Sequence, residues 1–279
     1  MRRIIKSIRE ELTGTYPAGE IDALAHILAT DLLHISETTY FLRDEVSLTP
    51  EKETLLADAL RRLRQNEPLQ YIIGETEFCG LRFKVNPSVL IPRPETGELV
   101  RMIAADNKGR ECRILDIGTG SGCIAVTLAK ELDRSSVSAW DISPDALATA
   151  KENSLFNGTE ITFGQCDILS YTPTENDRYE IIVSNPPYIK ELEKSGMESN
   201  VLEWEPSIAL FVPDSDPLLF YRTIAQKARE MLTADGRLYF EINREHGEET
   251  CTMLASLGYK EIMLHKDFAD NDRMVSARI

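Results

Sequence analysis

Four consecutive residues, Asn185-Pro186-Pro187-Tyr188, hold the parts of an acceptor site for an N–H group. The Asn185 side-chain oxygen and the Pro186 carbonyl both accept hydrogen bonds. Pro186 has no N–H to compete, and two prolines in a row stiffen the chain. The Tyr188 ring can stack on a planar group and exclude water. An amide or exocyclic amine has its nitrogen lone pair delocalised, so it is a poor nucleophile. An acceptor pair aimed at its two N–H bonds orients it and favours pyramidal geometry. The nitrogen can lose its proton after attack, so no strong base is needed. Asn185, Pro186 and Tyr188 are therefore expected to be catalytic by orientation and electrostatics. Pro187 joins them in holding the substrate.

A second constellation lies upstream. Arg113-Ile114-Leu115-Asp116-Ile117 reads as the end of a buried strand, and Gly118-Thr119-Gly120-Ser121-Gly122 follows it. Glycines let the backbone turn sharply and approach a ligand closely. The ligand would sit at the N-terminus of the next helix, over the carboxyl ends of the strands. The spacing is G-x-G-x-G rather than the G-x-G-x-x-G of dinucleotide folds. The next strand ends in Asp141, placed to accept from both hydroxyls of a ribose. A third strand ends at Cys166-Asp167-Ile168, suited to an adenine edge beside an apolar surface. No lysine loop for phosphates is present. A nucleoside without phosphates fits, and S-adenosylmethionine is the common one, with Asp116 orienting its methionine end through water.

These residues need a scaffold, and the sequence changes grammar twice to supply it. Residues 1–75 read as helices only. Ile4, Ile5, Ile8 and Leu12 recur at helical spacing, as do Ile21, Leu24, Ala25, Leu28 and Leu32. Thr49-Pro50-Glu51 opens a further helix, with Thr49 as N-cap and an apolar face of Leu55, Leu56, Ala59, Leu60 and Leu63. Residues 76–94 read as a short hairpin and a proline-shaped linker. From residue 95 strands and helices alternate. Strands are predicted at 113–116, 136–141, 160–165, 179–184, 236–242, 259–264 and 272–278. Helices are predicted at 95–105, 121–132, 144–156, 217–232 and 245–257. The pattern implies an α/β fold with a mostly parallel sheet and helices on both faces. No helix separates the last two strands, so an antiparallel end is expected.

Composition narrows the partners. The net charge is −15, with 46 acidic against 31 basic residues, and it is spread along the chain. Non-specific binding to a phosphate backbone draws on Lys and Arg, so no stable nucleic-acid partner is expected. No apolar run nears the roughly 20 residues of a membrane span. The charged start lacks a secretory signal, and the five scattered cysteines suggest reduced thiols, so a cytoplasmic protein is expected. The four histidines show no metal spacing, and no metal is expected.

The motifs resemble those of class I S-adenosylmethionine-dependent methyltransferases of the amino type. More narrowly, the chain is similar to the HemK/PrmC family of protein-(glutamine-N5) methyltransferases. The likeness covers nearly the whole chain. It rests on Gln70-Tyr71-Ile72-Ile73-Gly74, the Ile91-Pro92-Arg93-Pro94-Glu95-Thr96 linker, Asp116 to Gly122, and Asn185 to Ile189. Glu205-Pro206-Ser207-Ile208-Ala209-Leu210 and the ending Asp267 to Arg273 also fit. The resemblance implies a Rossmann-like domain at 95–279 with a seven-stranded sheet, and a recognition domain at 1–75 for peptide-chain release factors. It implies that the glutamine of a Gly-Gly-Gln loop in class-1 release factors enters the crevice and is methylated, with Arg93 and Glu95 lining the site. A monomer is expected. There are departures: Gly97 stands where the family has Glu, Asn243 where it has Gly, His246 where it has Gln, and 212–217 replaces a glycine-rich stretch. A nucleic-acid amino-methyltransferase stays open, because the tetrapeptide also serves adenine. A non-catalytic nucleoside-binding module would be expected to lose Asn185 or Pro186, and both are present.

Overall fold

A computed structural model describes residues 1–279 as two compact units: Met1–Gly74 with Glu198–Trp204, and Glu75–Met197 with Glu205–Ile279.

The first unit contains α1 (Arg2–Leu12), α2 (Ala18–Ile27), α3 (Glu37–Leu42), α4 (Pro50–Leu63) and α5 (Leu69–Ile73). A sixth helix, α9 (Ser199–Trp204), comes from much later in the chain. Ile4, Ile5, Ile8 and Leu12 of α1 share one core with Leu24 and Ala25 of α2 and with Leu56, Ala59, Leu60 and Leu63 of α4. The stripe that the spacing defined is thus the buried stripe, with two corrections. Leu32 is only partly buried, with Leu33 in the core beside it. Leu55 sits at the margin of the stripe and is 43% exposed. The Thr49 hydroxyl accepts from the Lys52 N–H, and Pro50 follows at the first turn, where its missing N–H costs nothing. The Trp204 indole donates to the Gln65 carbonyl at 3.2 Å, tying α9 into this unit.

The second unit opens with a hairpin of β1 (Glu75–Phe78) and β2 (Leu81–Lys84). Its two-residue turn has positive φ at both Cys79 and Gly80, the geometry whose twist matches paired strands. Then come α6 (Pro94–Asn107), β3 (Cys112–Ile117), α7 (Cys123–Glu131), β4 (Ser135–Asp141), α8 (Pro144–Phe156), β5 (Ile161–Gln165) and β6 (Tyr179–Ser184). A small parallel pair of β7 (Ile189–Lys190) and β8 (Phe211–Val212) precedes α10 (Leu219–Met231), β9 (Leu232–Glu241), α11 (Gly247–Ser256), β10 (Lys260–Lys266) and β11 (Asp272–Arg278).

Seven strands form one sheet in the order β10-β11-β9-β6-β3-β4-β5. β11 alone runs against the rest. It lies one place in from the edge, pairing antiparallel with both β9 and β10. Alternate residues of the strands bury to opposite sides. Ile114, Val137, Ile181 and Val183 meet α6 and α7, whereas Leu115, Ile182 and Leu238 meet α10 and α11. The chain leaves β3 toward β4 and later returns on the other side of β3 as β6. That reversal opens a crevice at the carboxyl ends of the strands, where ligands bind in open α/β sheets.

Register then places the chemistry. Trp140, Ile117, Ser184 and Phe240 lie in one row across β4, β3, β6 and β9. The next residue of each strand or loop is Asp141, Gly118, Asn185 and Glu241. Four residues far apart in sequence therefore leave the sheet side by side.

Candidate active site

The glycine loop is held by its own backbone. The Gly118 and Thr119 N–H groups both donate to the Trp140 carbonyl, at 2.8 and 3.0 Å. Gly118, Gly120 and Gly122 all have positive φ, which a side chain would strain. Their surroundings differ. A Cβ on Gly118 or Gly120 would meet nothing within 4 Å, so the space above them is open. A Cβ on Gly122 would lie 3.1 Å from the Ala150 Cβ, so this third glycine lets α7 pack against α8.

The loop borders a cavity of about 330 Å³, within the range of small-ligand sites. Gly118 to Ser121, Asp141, Asp167, Ile168, Asn185, Pro186, Pro187 and Arg93 all line it. Most of the nominated residues are thus brought together. Asp116, Gly122 and Glu95 do not line the wall, and Tyr188 faces a neighbouring cavity with Asn243, Arg244 and Arg273.

Asp141 is half-used. Its Oδ2 accepts from the Gly120 N–H at 2.8 Å and its Oδ1 from the Ser143 N–H at 2.9 Å. Each oxygen keeps a lone pair. Asp167 turns Oδ1 to the Leu169 N–H at 2.9 Å. Asp116 is fully buried beneath the loop. Its Oδ2 accepts from the Thr119 hydroxyl at 2.6 Å, while Oδ1 makes no hydrogen bond. Burial and the nearby Asp141 charge push the Asp116 carboxyl up to about 7, against the pull of the Thr119 hydroxyl and the Ala125 N–H.

Around Asn185 the polar contacts form a chain. Its Nδ2 donates to Thr96 Oγ1 at 3.3 Å, and Thr96 Oγ1 donates to Glu241 Oε2 at 2.6 Å. The Ser184 hydroxyl donates to the Ile117 carbonyl at 2.6 Å and clasps the two strand ends together. Burial raises the Tyr188 phenol to about 12, so the ring stays neutral. Burial also lifts Glu241 to about 7.

Arg93 is committed to Glu205 at 2.6 Å, and the Glu205 side chain is 1% exposed. Glu205 also accepts from the Ile91 N–H at 3.4 Å. The Glu-Pro segment is thereby fastened to the Ile-Pro-Arg-Pro linker. Pro206, Ile208 and Ala209 follow it along the cavity wall.

Sequence reasoning missed Thr96, Glu241 and Asn153. Asn153 is fully buried on α8. Its amide donates to the Lys84 and Ser121 carbonyls, both at 2.9 Å, and accepts from the Lys84 N–H at 2.6 Å. One side chain thus joins the hairpin to the glycine loop. A polar residue at a buried helical position was the available signal.

Comparison with known proteins gives this site its relatives. The methyltransferase small domain matches residues 96–203, and the PrmC N-terminal domain matches residues 4–74. A release factor glutamine methyltransferase of Bacteroides thetaiotaomicron is 46% identical over 277 residues, covering 99% of each chain. The chain belongs to the release factor glutamine methyltransferase family. A second member, from Flavobacterium psychrophilum, is 43% identical over 280 residues and covers 98% of each chain. The crystal structure of a methyltransferase from Pyrococcus furiosus shares the fold, with a TM-score of 0.53 at 15% identity, over 80% of this chain and 98% of its own.

The departures within this methyltransferase chain have local partners. A Cβ on Gly97 would stand 3.1 Å from the Cys79 sulfur, so glycine lets α6 approach the hairpin turn. Asn243 accepts from the Glu245 N–H and donates to the Tyr188 carbonyl. His246 Nδ1 lies 2.7 Å from Glu249. In the 212–217 stretch, Asp214 accepts from the Leu192 N–H and Asp216 pairs with Arg222.

Proposed function

We infer that this chain transfers a methyl group from S-adenosylmethionine to the side-chain amide nitrogen of the glutamine in the Gly-Gly-Gln loop of class-1 peptide-chain release factors. One observation carries the reading. The glycine loop and Asn185-Pro186 leave the sheet in register at the switch point and line one cavity.

The cradle fits a nucleoside with a charged tail. Gly118 and Gly120 leave space that a Cβ would fill. Asp141 keeps lone pairs for ribose hydroxyls. Ile142, Ile168 and Leu169 give an apolar shelf, with Asp167 at its rim for the adenine amine. Asp116, buried beneath the loop with an Oδ1 that makes no hydrogen bond, would act on the methionine end through water. Thr119 and Ser121 complete the loop. S-adenosylmethionine, when bound, supplies an electrophilic methyl group on a positively charged sulfur.

The protein's part is orientation. Asn185 Oδ1 and the Pro186 carbonyl receive the two N–H bonds of the glutamine amide, turning its nitrogen lone pair toward the electrophile. Pro187 fixes the turn. The neutral Tyr188 ring covers the amide plane and excludes water. Arg93, held by Glu205, shapes the entrance, with Glu95 near it on the first turn of α6. The helices of residues 1–75 provide recognition of the release factor, and a monomer acting in the cytoplasm suffices.

The test is transfer of labelled methyl from S-adenosylmethionine to purified release factor and to its Gln→Ala loop variant. One methyl per release factor and none on the variant is expected. Equal labelling of the variant, or labelling of DNA or RNA alone, would overturn the reading.

A further inference from the structure

We propose that Thr96 and Glu241 are positioning residues that decide which end of the Asn185 amide faces the reacting nitrogen. The proposal rests on the reading that Asn185 receives the substrate N–H.

Thr96 and Glu241 are buried, 3% and 1% exposed, so their polar atoms depend chiefly on protein partners. A hydroxyl has one proton, and an ionised carboxylate only accepts. At 2.6 Å the Thr96 proton is given to Glu241 Oε2. The Thr96 oxygen can then only receive from its other neighbour. That neighbour is Asn185, at 3.3 Å, and it must present its NH₂ group. Its carbonyl oxygen is thereby turned the other way, free to accept from a substrate amide. An Asn side chain has no intrinsic preference between its two ends, so the relay supplies the choice.

The three residues come from separate elements, the first turn of α6, the end of β6 and the end of β9. The strand register sets Asn185 and Glu241 in one row. Glu241 also takes a hydrogen bond from the Asn185 side chain itself, so a substitution at Glu241 reaches Asn185 both directly and by way of Thr96.

The relay has a sign. Protonated Glu241 would donate to Thr96, whose own proton would then point at Asn185 and favour its carbonyl there. The amide would turn over and present NH₂ to a substrate that also carries N–H bonds. Burial holds Glu241 near neutrality, so the reversal falls in an accessible pH range. Of the groups whose charge reaches it, Arg273 favours the anion and Glu95 opposes it, and Tyr188, Tyr221 and Cys123 also lie within its field.

The test compares wild type with Thr96→Ser, Thr96→Val and Glu241→Gln from about pH 6 to about pH 9, reading kcat and KM for release factor and affinity for S-adenosylmethionine. In Thr96→Val and Glu241→Gln, kcat falls at least about tenfold, with KM and cofactor affinity within about twofold. Thr96→Ser keeps the hydroxyl and stays near wild type. Wild-type kcat falls on the acid side with Glu241 protonation, and Glu241→Gln loses that limb. In protein labelled with ¹⁵N-asparagine, the Asn185 side-chain NH₂ signal follows the same titration in wild type and is static in Glu241→Gln. Full kcat in Thr96→Val, or an Asn185 signal indifferent to pH in wild type, would overturn the proposal. Absence of release-factor methylation by wild type would instead sink the proposed substrate, and the Asn185 signal would still decide the orientation.

Discussion

Asn185 is asked to do two things at once, to give its NH₂ to Thr96 and to keep its oxygen for a substrate N–H. Truncation removes the second without touching the glycine loop. Asn185→Ala should cut kcat by about 100-fold or more, as loss of one preorganised polar contact does elsewhere, with cofactor affinity unchanged in a calorimetric titration. Unchanged turnover would refute the role. Glu241 makes a prediction about stability. Its carboxyl moves from an ordinary 4.5 up to about 7 in the folded chain, chiefly through burial. The folded state thus holds the proton more tightly than the unfolded state. Its stabilising contribution is full below about pH 4.5, fades as pH rises and is gone above about pH 7. The span is worth about 3 kcal/mol. Urea unfolding of Glu241→Gln should lose that part of the pH dependence, while Asp116, raised in the same direction, keeps its own share. An unaltered pH slope would count against the burial account.

Elements explain why the site holds its shape. Asn153 on α8 grips both the β2 backbone and the Ser121 carbonyl. Its loss takes a partner from three backbone groups, the buried Ser121 carbonyl and the partly buried Lys84 N–H and carbonyl. Asn153→Ala should destabilise the protein by about 2–4 kcal/mol and weaken cofactor affinity, because the glycine loop loses its rear support. Full stability in thermal unfolding would contradict this. The same residue marks where sequence reading stops. The glycine loop, the strand-end Asp141 and the Asn-Pro-Pro-Tyr turn were legible, because each is a local departure from periodicity at the end of a strand. The alternation of β3, β4 and β5 with α7 and α8 is legible from the change of period along the chain. Pairing across the chain was not. Arg93 reads as a cavity residue, and it does line the wall, but its charge belongs to Glu205 112 residues on. Thr96 and Glu241 are 145 residues apart and meet because the first turn of α6 packs against the end of β9. The helix α9 joins a unit built otherwise from the first 74 residues, through contacts such as Trp204 with Gln65, and no window of local sequence contains both. Leu55 shows the other limit, since helical spacing gives the stripe but not its margin.

At the scale of the whole molecule, charge and motif answer different questions. The Asn-Pro-Pro-Tyr turn defines an acceptor for an N–H nitrogen and serves amides and base amines alike. The net charge of −15 weighs on which of these is presented. Residues 1–75 carry 13 acidic and 9 basic side chains, so the helical unit offers no excess of cations for phosphates. No helix is long and apolar enough to cross a membrane. A protein substrate that brings its own glutamine loop to the crevice suits both facts. The most direct measurement is tandem mass spectrometry of release factor after incubation with this enzyme and S-adenosylmethionine. The account predicts a peptide one methyl group heavier, with the added mass on the side-chain nitrogen of the Gly-Gly-Gln glutamine and on no other residue. Methylation at a different residue, or an unmodified glutamine under conditions where the enzyme methylates a nucleic-acid base, would contradict it.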